Sequence, residues 1–196
     1  MKELVFFLEE PSAKAMIEGL LPKMSDIEIP VRYIVFEGKQ DLEKHILKKI
    51  RGYNNPNAAF IILRDQDSAD CKSVKTNLKQ KCLEANKPHA VIRIACREIE
   101  SWYLADLEAV GKAFSKSNLS SKQNKRKFRN PDTLSNPSKE LKLLVPEYQK
   151  INGSRIIAPH LNTDNARSSS FCHFINSLKY IIESQTIQNG KIDKQN

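Results

Sequence analysis

The stretch FIILRDQDSADC, Phe60 to Cys71, joins an uninterrupted apolar run to three acids, Asp65, Asp67 and Asp70. Phe60–Leu63 lacks the polar alternation of a half-exposed strand. Such runs belong to strands covered on both faces, as in parallel sheets. The chain has a net charge of +9, so the acids do not reflect an acidic composition. They fall at the carboxyl end of a strand, where open α/β sheets bind their ligands.

Three more short apolar runs occur, LVFFL (Leu4–Leu8), VRYIVF (Val31–Phe36) and AVIRIA (Ala90–Ala95), of which LVFFL also lacks polar alternation. Each is followed by a helical stripe. Ala13, Met16, Ile17, Leu20 and Leu21 repeat at helical spacing, with Ser12 as the expected N-cap and Pro22 as a stop. Leu42, Ile46, Leu47 and Ile50 form the second stripe, ending near Gly52; Val74, Leu78, Cys82 and Leu83 form the third. Ile99, Tyr103, Leu107, Val110 and Phe114 form the fourth, read as one helix. Strand and helix thus alternate four times. The pattern predicts an α/β fold with a central, mainly parallel four-stranded sheet and helices on both faces.

After residue 115 the character changes. Lys116–Arg155 holds ten Lys or Arg and three Asp or Glu, so most of the excess positive charge lies there. A last helix is expected from near Asn165, with the stripe Phe171, Phe174, Ile175, Leu178, Ile181 and Ile182. The expected organisation is an α/β core over 1–115, a basic loop and helical extension over 116–184 packed on it, and a polar, frayed tail over 185–196. No segment has the length or pattern of a signal peptide or membrane span. The four cysteines show no metal spacing and read as reduced thiols. A cytoplasmic protein without membrane contact is expected.

Three of the four strands deliver acids to one edge: Glu9 and Glu10 after the first, Asp65, Asp67 and Asp70 after the third, Glu98 and Glu100 after the fourth. In an extended segment the side chains of Asp65 and Asp67 point the same way, so both can approach one hard cation. Helical phase turns Glu100 inward and Glu98 outward. Asp70 is either a helix cap or a further ligand, and Glu10 reads as a first-turn acid favoured by the helix dipole. The pairing requires the first and third strands to be neighbours.

Strand–Glu–turn–helix followed by strand–Asp-x-Asp resembles the Toprim signature of topoisomerases, bacterial primases and overcoming-lysogenization-defect (OLD-type) nucleases. Glu9 in LEEPSAKAMIEGLL aligns with the family glutamate, and Asp65 and Asp67 in ILRDQD with its two aspartates; Glu10 stands where glycine is usual. The chain is also similar, over about residues 4–182, to a bacterial family of unknown function with ESWYLAD-like and late Y-x-K segments. These resemblances imply a Toprim-like three-layer α/β/α sandwich and a Mg²⁺- or Mn²⁺-dependent nuclease. They imply Glu9, Asp65, Asp67 and Glu100 as catalytic residues, with Asp70 completing the metal ligands. An ATPase partner encoded nearby and a phage-defence role are implied in the same way.

The remaining polar residues are assigned to substrate. Lys125, Arg126, Lys127 and Arg129, interleaved with Phe128, read as a nucleic-acid contact; Arg155, His160 and Arg167 as a phosphate clamp. Trp102 reads as core, and Lys14 as an ion-pair partner of the acids. No G-x-S-x-G, P-loop or G-x-G-x-x-G occurs, which argues against a hydrolase elbow, an NTPase and a dinucleotide enzyme. Two other functions fit the same residues. One is a non-catalytic regulatory subunit that binds an ATPase or nucleic acid through its basic face. The other is a phosphohydrolase for small nucleotides.

Overall fold

The computed structural model describes residues 3–25 and 29–192, with side chains through residue 184. Its centre is a parallel sheet of four strands among the described residues: β1 (Glu3–Leu8), β2 (Val31–Val35), β3 (Ala58–Asp65) and β4 (Val91–Ala95), in the order β2-β1-β3-β4. Strands β1 and β3 are neighbours, with Leu8 opposite Leu63.

Each face of the sheet is apolar, which is why the runs lack alternation. Val5, Phe7, Phe60, Ile62, Ile92 and Ile94 form one core with α2 (Lys39–Arg51) and α3 (Cys71–Glu84). Leu4, Phe6, Leu8, Ile61 and Leu63 form the other with α1 (Pro11–Leu20). That second core also takes in α4 (Glu100–Leu104), α5 (Leu107–Ala113), α6 (Pro137–Leu144), α7 (Lys150–Ile157) and α8 (Ser169–Ile192). The result is three layers, with the helical C-terminal segment on the α1 side. Among the described residues no helix is long and apolar enough to cross a membrane.

Local capping departs from expectation in several places. Glu10, not Ser12, is the N-cap residue of α1, because Pro11 takes the first helical position and needs no hydrogen-bond partner. Ser12 instead donates its hydroxyl to Glu10 Oε1 at 2.5 Å. The fourth stripe is two helices: Asp106 interrupts it and caps α5 by accepting the Ala109 N–H at 3.0 Å. Asn165 does not open α8, which begins at Ser169; its amide donates to the Ala105 carbonyl at 2.7 Å. Helix α8 also continues to Ile192, through much of the segment expected to fray, and residues 193–196 of that tail lie outside the described residues.

Candidate functional site

The strand register divides the acids between two sides of the sheet edge. With Leu8 opposite Leu63, Glu9 and Glu10 leave β1 at the edge where Arg64 and Asp65 end β3. Alternation along β3 sends Arg64 toward α2 and Asp65 toward α1. On the α2 side, Arg64 Nη1 lies 2.7 Å from Glu43 Oε1, and its Nε 3.7 Å from Glu9 Oε2. Lys39 holds Asp67 at 2.8 Å. Glu9 reaches back across the edge, where its Oε2 accepts the Asp65 N–H at 3.1 Å.

On the α1 side, Asp65 is 7% exposed and its Oδ1 accepts the Ile99 N–H at 3.1 Å. Glu100, the first residue of α4, is fully buried; its Oε1 accepts the Tyr148 hydroxyl at 3.0 Å and its Oε2 has no hydrogen-bond partner. Lys150, the first residue of α7, places Nζ 3.3 Å from both oxygens of Glu10. Gly153 makes this arrangement possible. A Cβ at residue 153 would lie 2.2 Å from the Tyr148 ring.

Burial dominates the electrostatics. It raises the Asp65 carboxyl well above the ordinary aspartate range, assisted by Glu100, Glu10 and Glu9 and opposed by Lys150. Burial also raises Glu100, against the pull of Lys150. Glu9 is pushed up to about 7, chiefly by burial, with the Asp65 N–H acting the other way. Burial works against the Lys150 ammonium, but the Glu100, Glu10 and Asp65 carboxylates outweigh it and raise its pKa.

The structure brings together Glu9, Asp65 and Glu100, and adds Glu10, Tyr148 and Lys150. Asp67 does not share the Asp65 side: β3 ends at Asp65, and Asp67 sits in a left-handed turn at φ 54°, facing Lys39. Asp70 caps α3, its Oδ2 taken by the Ser73 N–H and hydroxyl at 2.8 Å. Glu98 accepts the Ser138 N–H at 2.8 Å. Lys14 pairs with Glu18, so the lysine among the acids is Lys150. The signal for Tyr148 and Lys150 is the late Y-x-K.

The basic residues separate as well. Lys125, Arg126, Lys127 and Arg129 are exposed, but Phe128 is buried and anchors their turn to the core, so it is not offered for base stacking. Lys127 pairs with Glu140, and Arg129 donates to the Asn124 carbonyl at 3.2 Å. Arg155 is exposed on α7, while His160 and Arg167 line a cleft at the junction of α4 and α5. The three do not form one clamp. Trp102 is fully buried against Phe171 and Phe174.

The Mg²⁺ or Mn²⁺ implied by the resemblance requires hard oxygen donors. The donor set fits in kind: every candidate ligand is a carboxylate, and Glu100 Oε2 is a buried oxygen without a partner. Spacing is a different matter, since no three His, Cys, Asp or Glu residues among those described converge closely enough to hold an ion.

One solved structure shares this architecture, the C-terminal region of the Burkholderia pseudomallei OLD protein. The match covers 91% of this chain and 98% of that one, with a TM-score of 0.56 and 13% identity, and it shows a common fold. No curated protein matches the sequence. The model of the family described as "Domain of unknown function (DUF4276)" matches residues 8–179, and the chain belongs to that family.

Proposed function

We propose that the chain is a Toprim-like, divalent-metal-dependent nuclease that hydrolyses phosphodiester bonds at the carboxyl edge of its sheet. The observation that carries this reading is the meeting of buried Asp65 and Glu100 with Glu9 and Lys150 at that edge. The shared fold with the OLD C-terminal region supports it.

Asp65 and Glu100 are the residues that would hold Mg²⁺ or Mn²⁺. With no third acid converging on them among the described residues, the ion's remaining positions would fall to water and substrate phosphate. When bound, such an ion supplies Lewis-acid neutralisation of the phosphodiester and a lowered pKa for an attacking water. The chain's own residues do the rest. Glu9, with a carboxyl pushed up to about 7, accepts the water proton near neutral pH. Lys150 presents a cation to the phosphoryl oxygens. Tyr148 fixes Glu100 Oε1 and leaves Oε2 as its free ligand atom. Exposed Lys125, Arg126 and Arg129 hold the phosphate backbone.

Divalent-dependent cleavage of DNA or RNA by the wild type tests this, with Asp65→Asn and Glu100→Gln each inactive but folded. Absence of Mn²⁺ binding by calorimetry in a folded wild type overturns it. A second reading rests on Lys150 lying against Glu10, so that an internal cation already balances the acids. On that reading the chain is a regulatory subunit of an ATPase or a nucleic-acid complex, and the same titration shows no heat.

A further inference from the structure

A cleft of about 370 Å³ opens where α4 gives way to α5, and none of the edge carboxylates lines it. Its walls are fixed by buried polar side chains with every requirement met. Asp106 accepts the N–H groups of Ala109 and Asn162 at 3.0 and 2.8 Å. Gln123 accepts the Leu107 N–H at 2.7 Å and donates to the carbonyls of Leu104 and Phe128 at 3.1 and 3.2 Å. Asn165 donates to the Ala105 carbonyl at 2.7 Å. These bonds tie the α4–α5 break, the turn containing Gln123 and the 160–167 segment into one preorganised frame.

Facing that frame are groups with nothing to bind. Among the described residues, the Arg167 guanidinium, the His160 ring and the Asn124 carboxamide have no hydrogen-bond or ion-pair partner. Lys112 engages only Glu108, one helical turn away at 2.8 Å, an exposed pair of the kind that contributes little and is readily redirected. Of the two acids in the lining, Asp106 has both oxygens occupied by backbone N–H groups, and Glu108 is 66% exposed, so solvent screens it when Lys112 turns to a ligand. The wall formed by Ser120, Gln123 and Asn124 belongs to Lys116–Arg129, which carries six Lys or Arg and no acid.

We propose that this cleft binds a phosphomonoester, with Arg167, His160, Lys112 and Asn124 as its donors. A guanidinium free at both terminal nitrogens suits the bidentate geometry that phosphate oxygens offer. The volume lies at the small end of ligand pockets, roughly 300–1,000 Å³, which suits a mononucleotide or a strand end rather than a duplex. The proposal is independent of cleavage at the sheet edge.

Calorimetric titration of the full chain tests it, using adenosine 5′-monophosphate, adenosine, and a short single-stranded oligonucleotide with and without a 5′-phosphate. The expected result is that adenosine 5′-monophosphate binds where adenosine does not, and that the 5′-phosphorylated oligonucleotide binds more tightly than its unphosphorylated form. Arg167→Ala, at an exposed position that leaves the fold intact, weakens binding of the phosphorylated probe roughly tenfold to a hundredfold. His160→Ala weakens it less, and Asp65→Asn leaves it unchanged. Binding of the nucleotide identifies a free ligand; binding of the phosphorylated strand alone identifies a strand end. The proposal is overturned if no phosphorylated probe binds more tightly than its unphosphorylated form, if Arg167→Ala binds as tightly as wild type, or if Asp65→Asn abolishes binding.

Discussion

The Tyr148 hydroxyl donates to Glu100 Oε1 across 3.0 Å, and both side chains are buried. This bond joins the start of α4 to the residue two before α7, beside a second between α4 and α7 in which the Tyr103 hydroxyl donates to Ser154 Oγ at 2.8 Å. Removing the hydroxyl leaves a buried carboxyl with neither oxygen satisfied. Tyr148→Phe is therefore expected to cost about 1–3 kcal/mol. Denaturant unfolding measures this, and the loss should shrink when Glu100→Leu is introduced first, since leucine leaves no buried oxygen for the hydroxyl to satisfy. A full-sized loss in the double variant shows that the bond is not the cause.

Gly153 gives a sharper version of the same test. A methyl group there would stand 2.2 and 2.3 Å from two carbons of the Tyr148 ring, and the ring is hemmed in by Tyr103. Gly→Ala within a helix ordinarily stabilises by roughly 0.5–1 kcal/mol. Here the sign reverses, and Gly153→Ala should lower stability by about 2 kcal/mol or more, as overpacking does. Thermal unfolding of the variant decides it, because a rise in Tm excludes the packing described.

The sheet was legible because its strands are buried on both faces: Phe6 and Phe7 both had to be apolar, one for each core. The neighbouring placement of β1 and β3 followed from the acids that needed to meet. The split of α4 from α5 was hidden because Ile99, Leu107 and Val110 stay in helical phase across Asp106, and periodicity cannot register a cap that preserves it. Asp67 was misplaced because an Asp-x-Asp pair shares a face only while the strand continues, and it turns left-handed two residues beyond Asp65. Lys150 escaped because it lies 140 residues from Glu10 in a segment whose basic character reads as surface. Distance in sequence, not weakness of interaction, concealed it.

Lys150 is expected to matter more as pH rises. Its ammonium stays charged throughout the neutral range, since its folded pKa is raised and its contribution is lost only far into the alkaline region. What changes is the ionisation of Asp65 and Glu100, both raised by burial. The lower the pH, the more these acids keep their protons, leaving the lysine chiefly Glu10 to balance. At pH 8 they are pressed to ionise, and Lys150→Met leaves them uncompensated. The ammonium is 42% exposed, so screening limits the loss to about 1–2 kcal/mol. Unfolding at pH 5 and pH 8 should show the larger deficit at pH 8, and an equal deficit at both removes the electrostatic explanation.

Glu9→Gln should move the other way. The folded pKa of Glu9 is about 7 against an ordinary 4.5, so between those values the folded state binds the proton that the unfolded state has released. Stability therefore falls as pH rises from 4.5 to 7 and levels off above, with a penalty of about 3 kcal/mol at most. Glutamine cannot ionise, yet its amide oxygen still accepts the Asp65 N–H that Glu9 Oε2 holds at 3.1 Å. The variant should match the wild type near pH 4 and be more stable at pH 8. Parallel thermal scans across that range test the sign. A gain of the same size at both ends places its origin in packing, and a loss at pH 8 shows that the ionised carboxylate is stabilised by Arg64 more than burial opposes it.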